Sequence, residues 1–151
     1  MKRNIIRIIL LLLITCWMFM VFGFSSAEGE ASTSLSMKVA KIFVNNEINL
    51  DFVENIIRKI AHLTEYAIGG ILVYLFFLTF DLNARLQFIC SFVFVTLYAI
   101  TDEIHQLMVP GRCGKIIDVY IDVLGILIGL CSVLLIIKII ESFTNKEIIK
   151  L

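Results

Sequence analysis

The chain has 151 residues, of which 60% are hydrophobic, and its 13 basic residues balance its 13 acidic ones. An apolar share this far above the roughly 45–50% of soluble domains indicates an integral membrane protein. The balanced charge argues against a nucleic-acid partner, which would need a concentrated basic surface. The length suits one domain, residues 1–151.

Four apolar runs are long enough, or nearly so, to cross a hydrocarbon core of ~30 Å, which needs roughly 20 helical residues. We therefore predict an all-α integral membrane protein, a bundle of about four transmembrane helices. After the first span, Leu35–Phe43 has an apolar helical face, which suits either a helix lying in the membrane interface or a packed surface helix. The predicted spans cover residues 5–24, 60–80, 86–104 and 119–140.

The basic residues around the start of the first span set the predicted orientation. Lys2, Arg3 and Arg7 crowd that end, and positive charge is retained on the cytoplasmic side. Four spans then make both termini cytoplasmic, and residues 25–59 and 102–118 face outward. A cleaved signal peptide is the alternative, but the apolar run is longer than the ~7–15 residues of such peptides.

The second span begins as an amphipathic helix. At 100° per residue, Arg58, His62, Glu65 and Gly69 lie on one face. An ionisable group deep in a bilayer costs about 2.5–3.5 kcal/mol or more, so such groups usually face the bundle interior and find partners there. This face therefore predicts a polar pocket shared with other helices.

The third span ends in a second polar cluster. Asp102, His105 and Gln106 share a face, and Glu103 is turned away by about a quarter turn or more. A Pro-Gly pair then stops the helix. Arg112 follows that turn, and its planar fork can grip a carboxylate or a phosphate with two hydrogen bonds. Arg112 is therefore the predicted counter-charge of the pocket.

The fourth span combines acidic and small residues on one stripe. Asp118 and Asp122 precede Gly125 and Gly129 on the same helical face. Glycines four residues apart let two helices approach closely, and Gly69 has a similar predicted packing role in the second span. The ionisable groups thus lie directly beside the predicted packing surface.

Three segments with these residues resemble the signature blocks of the VanZ-like family: "RKIAHLTEYAIGGIL" from residue 58, "DEIHQLMVPGR" from residue 102 and "DVYIDVLGILIG" from residue 118. The resemblance covers nearly the whole chain. Asp122 stands where the family commonly has Asn, which adds a carboxylate. The family pattern matches Arg58, Lys59, His62, Glu65, Tyr66, Asp102, Glu103, Gln106, Pro110, Arg112, Asp118, Gly125 and Gly129.

The resemblance implies a small multi-pass protein of the bacterial cell membrane, with a link to resistance against the glycopeptide antibiotic teicoplanin. We expect an outward-facing pocket that binds a lipid-linked precursor of the cell envelope, a peptidoglycan-linked ligand or a lipoglycopeptide. The bilayer is the constant partner, and homo-oligomerisation is open. The ligand-binding candidates are Arg58, Tyr66, Gln106, Arg112, Asp118 and Asp122.

Two other functions remain open at this stage. In an intramembrane hydrolase or transferase acting on a lipid headgroup, His62 would be the general acid or base, because its pKa near neutrality suits proton transfer. A carboxylate such as Glu65, Asp102 or Asp118 would orient it, and Glu103 is a further catalytic candidate. In a structural or regulatory membrane protein, the cluster would only hold the helices together.

A metal site is the least supported variant. His62, Glu65, Glu103 and His105 could supply nitrogen and oxygen ligands, but their spacing matches no established zinc pattern. The four cysteines form no CxxC pair. Neither a metal nor another cofactor is therefore predicted.

Overall fold

The computed structural model describes residues 2–26, 38–39, 42, 47–110 and 116–144, with side chains omitted for 47–51. Within these ranges the chain is helical apart from short turns, and it has no strand. The four long helices are α1 (Lys2–Ser26), α2 (Glu47–Phe77), α3 (Ala84–Met108) and α4 (Ile116–Thr144). The predicted all-α class is thus confirmed.

Each helix contains a stretch long and apolar enough to cross a membrane. The helices differ from the predicted spans mainly at their ends. For example, α2 starts before residue 60 and ends at Phe77 rather than near residue 80. The polar residues that flank the apolar runs, such as Arg58 and Asp102, are part of the helices. The chain is a multi-pass membrane protein.

Local sequence explains the short connection between α2 and α3. After Phe77 the chain makes two tight turns, in which Thr79 N–H donates to the Phe76 carbonyl at 3.1 Å. Asn83 then caps α3, because its side-chain oxygen accepts from Leu86 N–H at 2.8 Å. This connection makes α2 and α3 antiparallel neighbours.

The helices run alternately up and down, so the bundle has two ends. Arg3 pairs with Asp81, which follows α2, and we name this the Arg7 end after the neighbouring arginine. At the opposite end, Ser26 at the close of α1 contacts His105 near the close of α3. We name that one the His62 end.

Close packing of α2 against α4 fixes the centre of the bundle. A side chain at Gly125 would collide with the backbone carbonyl of Leu63, and one at Gly129 with the carbonyl of Ala67. From the other side, a Cβ at Gly70 would lie 2.9 Å from the Ile126 carbonyl. Glycine is required here for close approach, which sets the register of the two helices.

The core is narrow and the outer surface is apolar, as expected for a bundle in lipid. Large apolar side chains such as Phe19, Leu97 and Leu135 are more than half exposed on the outside. The fully enclosed apolar or aromatic side chains include Tyr66, Tyr74, Val95, Ala99, Ile126 and Leu130.

Candidate functional site

The centre of the polar cluster is an ion pair between α2 and α4. His62 Nδ1 lies 3.2 Å from Asp122 Oδ1. The Asp122 side chain is fully buried, and that of His62 is 12% exposed. Asp122 lies nearly one turn from Gly125, so the contact between α4 and the Leu63 carbonyl brings its carboxylate against α2. The sequence placed Asp122 among the ligand-binding candidates, and the structure makes it the carboxylate that pairs with His62.

α3 contributes a second buried carboxylate. Gln106 Nε2 donates to Asp102 Oδ2 at 3.0 Å, one turn along the helix. Both residues are buried, with 5% and 6% exposure. Asp102 and Asp122 lie within electrostatic range of each other. The cluster therefore holds carboxylates from two different helices.

Tyr66 lies between these carboxylates. Its side chain is fully enclosed, and its hydroxyl is close to the Asp102 carboxylate and in electrostatic range of Asp122. The hydroxyl nevertheless does not reach hydrogen-bond geometry with either. Tyr66 Oη, Asp102 Oδ1 and Asp122 Oδ2 are all buried without a hydrogen-bond partner among the described residues.

Further acids surround the His62–Asp122 pair. Glu65 and Asp118 both act electrostatically on His62, and Asp118 also acts on Asp122. Glu103 is buried as well, at 6% exposure, although the helical period turns it away from Asp102. The described part of the cluster thus combines one histidine with several carboxylates.

Arg58 pairs with a residue of its own helix. It lies about one turn from His62 on α2, and its guanidinium is 3.5 Å from a Glu54 carboxylate oxygen. Arg58 is therefore already engaged with a neighbour on its own helix. Arg112, the predicted counter-charge, lies outside the described residues.

The first helix closes one side of the cluster. Trp17 Nε1 donates to the Glu65 carbonyl at 3.0 Å, and its ring packs edge-on against Tyr66 with centroids 6.0 Å apart. The same ring fills the space beside Gly69, where a Cβ would collide with it. Gly69 thus accommodates an indole rather than a neighbouring backbone.

Tyr98 fixes α1 to α3. Its hydroxyl donates to the Met18 carbonyl at 2.6 Å, and its ring is 5.2 Å from that of Trp17. Sequence reasoning did not assign Trp17 a role, because it lies within an apolar run. The available signal was the indole N–H, which needs an acceptor when it is buried in a membrane span.

His105 contacts residues of α1 rather than His62. The His105 ring stacks on Phe22 with centroids 4.4 Å apart, and its Nε2 is 3.0 Å from Ser26 Oγ. Among the residues with described placement, no three His, Cys, Asp or Glu side chains are grouped as metal ligands. The ligand set of His62, Glu65, Glu103 and His105 is therefore not assembled.

Comparison with known families decides the classification. The sequence profile of the VanZ/LLP1 family matches residues 10–139. The chain belongs to the VanZ/LLP1 family. The matched range includes all three blocks noted in the sequence and the whole cluster around His62, so the cluster lies within the family domain. Neither the curated proteins nor the solved structures contain a match.

Proposed function

We propose that this VanZ/LLP1 protein binds the polar headgroup of a lipid-linked cell-envelope ligand at its His62 end. The observation that carries the proposal is the set of buried acceptor atoms without partners, Tyr66 Oη, Asp102 Oδ1 and Asp122 Oδ2. Leaving a buried polar atom unsatisfied costs about 1–3 kcal/mol, and more when it is charged. A ligand with hydrogen-bond donors would satisfy all three of these atoms at once.

The charge distribution supports an outward position for this site in a bacterial cell membrane. Lys2, Arg3 and Arg7 all lie at the opposite end of the bundle, at or near the start of α1. Because positive charge stays in the cytoplasm, the Arg7 end faces inward with both chain termini. The His62 end then faces the cell envelope, where lipid-linked precursors of peptidoglycan and lipoglycopeptides meet the membrane.

The surface around the His62 end suits a ligand with a lipid tail. Leu107, Met108 and Ile116 are at least 63% exposed there. An acyl or prenyl chain can lie along this apolar surface while its headgroup reaches the polar cluster between the helices. Because the lipid tail stays on the outer surface and only the headgroup enters the cluster, such a ligand needs no aqueous path through the bundle.

Resistance to teicoplanin is the cellular role that the family membership suggests. The test is a strain that lacks the gene and is complemented with the wild type, with Asp102→Asn/Asp122→Asn or with Glu141→Gln. Glu141 is the matched control, because it is a carboxylate at the Arg7 end whose side chain is 12% exposed and pairs with Lys138 at 2.9 Å.

We expect the double variant to be as susceptible to teicoplanin as the deletion strain, and Glu141→Gln to behave as the wild type. Equal expression and thermal stability of the variants must be verified in the same membranes. Wild-type resistance in a folded double variant would contradict the proposal. A loss of resistance that follows the loss of stability in every variant would instead favour a structural role.

The His62–Asp122 pair favours one further candidate, an intramembrane hydrolase or transferase acting on the same headgroup. When Asp122 accepts the Nδ1 proton, Nε2 of His62 is left as the basic nitrogen, which can take a proton from water or a hydroxyl. Under this candidate, His62→Gln would retain a bound lipid-linked ligand but abolish release of its headgroup. Retained turnover in His62→Gln would exclude it.

A further inference from the structure

We infer that the polar cluster recognises a primary ammonium group, bound between Asp102, Asp122 and Tyr66. The inference rests on the proposed function and names the chemistry of the headgroup. The three buried atoms without partners among the described residues are two carboxylate oxygens and one phenol oxygen. Each can accept a hydrogen bond, and together they offer three acceptors to one donor group.

A primary ammonium matches this set in number and in charge. It has three N–H donors, no acceptor and one positive charge. Two of its N–H bonds would be directed at the two carboxylate oxygens, and a hydrogen bond with a charged partner is about twice as strong as a neutral one. The third would reach the Tyr66 hydroxyl, which is buried beside Asp102.

The surrounding charge favours a cation over an anion. Among the described residues, His62 is paired with Asp122, and the Asp102 and Asp118 carboxylates lie within electrostatic range of this pair. A phosphate placed among these carboxylates would meet like charges in a poorly solvated space, where repulsion is stronger than in water. The phosphate of a headgroup would therefore lie outside the acidic cluster, with only the amine inside.

Other cations suit the cluster less well. Ca²⁺ takes 6–8 oxygen ligands and Mg²⁺ requires an octahedral shell, and the described residues show no group of three His, Cys, Asp or Glu ligands. A quaternary ammonium has no N–H and is recognised by the faces of aromatic rings. Tyr66 meets Trp17 edge to face, and its polar hydroxyl, rather than its ring, is the group beside the carboxylate. The expected selectivity is thus for N–H donors and not only for positive charge.

The experiment measures which lipids the purified full-length protein retains, by native mass spectrometry from nanodiscs. Three lipids with identical acyl chains are compared: phosphatidylethanolamine, phosphatidylcholine and phosphatidylglycerol. The trimethylated ammonium of phosphatidylcholine keeps the positive charge but has no N–H donors. The glycerol headgroup of phosphatidylglycerol has no positive charge. We expect retention of the ethanolamine lipid to exceed that of each other lipid by about tenfold, the effect of a single charged hydrogen bond.

A primary ammonium can also belong to a lysine side chain on a lipid-anchored peptide. A second arm therefore compares an anchored lysyl peptide with its Nε-acetylated form. Selectivity for the free amine in this arm but not among phospholipids would assign the site to a peptide-linked ligand. Selectivity in the phospholipid arm would assign it to a lipid headgroup.

Single substitutions test which residues confer the preference for a primary amine. Tyr66→Phe and Asp102→Asn should reduce the preference for the primary amine to near zero. Tyr74→Phe is the matched control, because Tyr74 is also fully enclosed with a hydroxyl that has no described partner, yet it lies about two turns nearer the Arg7 end. Glu141→Gln controls for the loss of a carboxylate. Both controls should keep the wild-type preference.

Two results would overturn the ammonium inference: no preference of the wild type for the free amine in either the phospholipid arm or the peptide arm, or unchanged selectivity in folded Tyr66→Phe and Asp102→Asn. If a lipid-linked ligand still bound through Asp122 without any preference for an amine, the inference would fail while the proposed function stood. If no lipid ligand depended on the cluster, both would fail.

Discussion

Charged side chains at the two ends of the bundle differ in how exposed they are and in how they are paired. At the Arg7 end, Arg3 pairs with Asp81 at 2.9 Å in an ion pair whose side chains are 57% and 82% exposed. Arg7 donates to Thr79 Oγ1 and to the Thr79 carbonyl, and its guanidinium lies 4.1 Å from the centre of the Phe80 ring. Each of these groups has a nearby partner, and the Arg3–Asp81 pair is exposed.

At the His62 end, carboxylates from α3 and α4 are enclosed between the helices. Asp102 and Asp122 are buried, and each keeps one oxygen without a described partner. Arrangements that only stabilise a bundle resemble the Arg7 end, because exposed pairs cost little to form. The difference indicates that the His62 end bears a cost in folding that a ligand would offset.

The largest expected effect comes from removing one member of the buried pair. His62→Ala leaves Asp122 as an isolated buried carboxylate and should lower the free energy of unfolding by about 3 kcal/mol, the lower limit for broken buried pairs. Replacing both residues with leucine should restore most of this loss, since no buried charge remains. Reversible unfolding in mixed micelles measures both, and a double variant as unstable as His62→Ala would contradict the account.

The close contact of α2 and α4 should give the next effect. Gly125→Ala places a methyl group against the Leu63 carbonyl, a rigid backbone atom. We expect a loss of about 1–3 kcal/mol in the free energy of unfolding, as for other overpacked cores. Gly23→Ala is the control, because a Cβ there meets nothing within 4 Å. Equal stability of the two variants would show that this contact does not set the register of the helices.

The helical period predicted which faces of the spans are polar, but not which side chains meet. Asp122 was placed on the correct stripe, yet its pairing with His62 depends on the register of α4 against α2. That register follows from backbone contacts at Gly125 and Gly129, which a single helix pattern does not contain. The four spans and the family were predictable because both depend on patterns local in the sequence.

The role of α1 was not predictable for the same reason. Its sequence is apolar on every side, so no face is distinguished. Trp17 reaches the Glu65 carbonyl across helices, and nothing in the local pattern of α1 specifies this. His105 likewise shares a helical face with Asp102, but its ring stacks on Phe22 instead.

A smaller effect is expected from the hydrogen bond that attaches α1 to α3. Tyr98→Phe removes the donor to the Met18 carbonyl and should lower the free energy of unfolding by about 0.6 kcal/mol, the average for hydrogen bonds within membranes. The ring contact with Trp17 is kept. Amide hydrogen exchange should show faster opening of α1 in this variant, with α4 unchanged. A uniform increase over all helices would argue against a local role.

The smallest effect should come from the exposed pair at the Arg7 end. Asp81→Ala removes the partner of Arg3 and should change the free energy of unfolding by less than about 0.5 kcal/mol, because exposed ion pairs contribute little. Raising the salt concentration should reduce even this difference. A loss as large as that of His62→Ala would remove the contrast between the two ends.

The central claim is that Asp102 and Asp122 at the His62 end bind a ligand. Its most direct test is native mass spectrometry of the wild type and of Asp102→Asn/Asp122→Asn, both released from the same bacterial membranes without added lipid. The account predicts that the wild type carries a co-purified lipid-linked species and that the folded double variant has lost it. The same species retained equally by both proteins would contradict the claim.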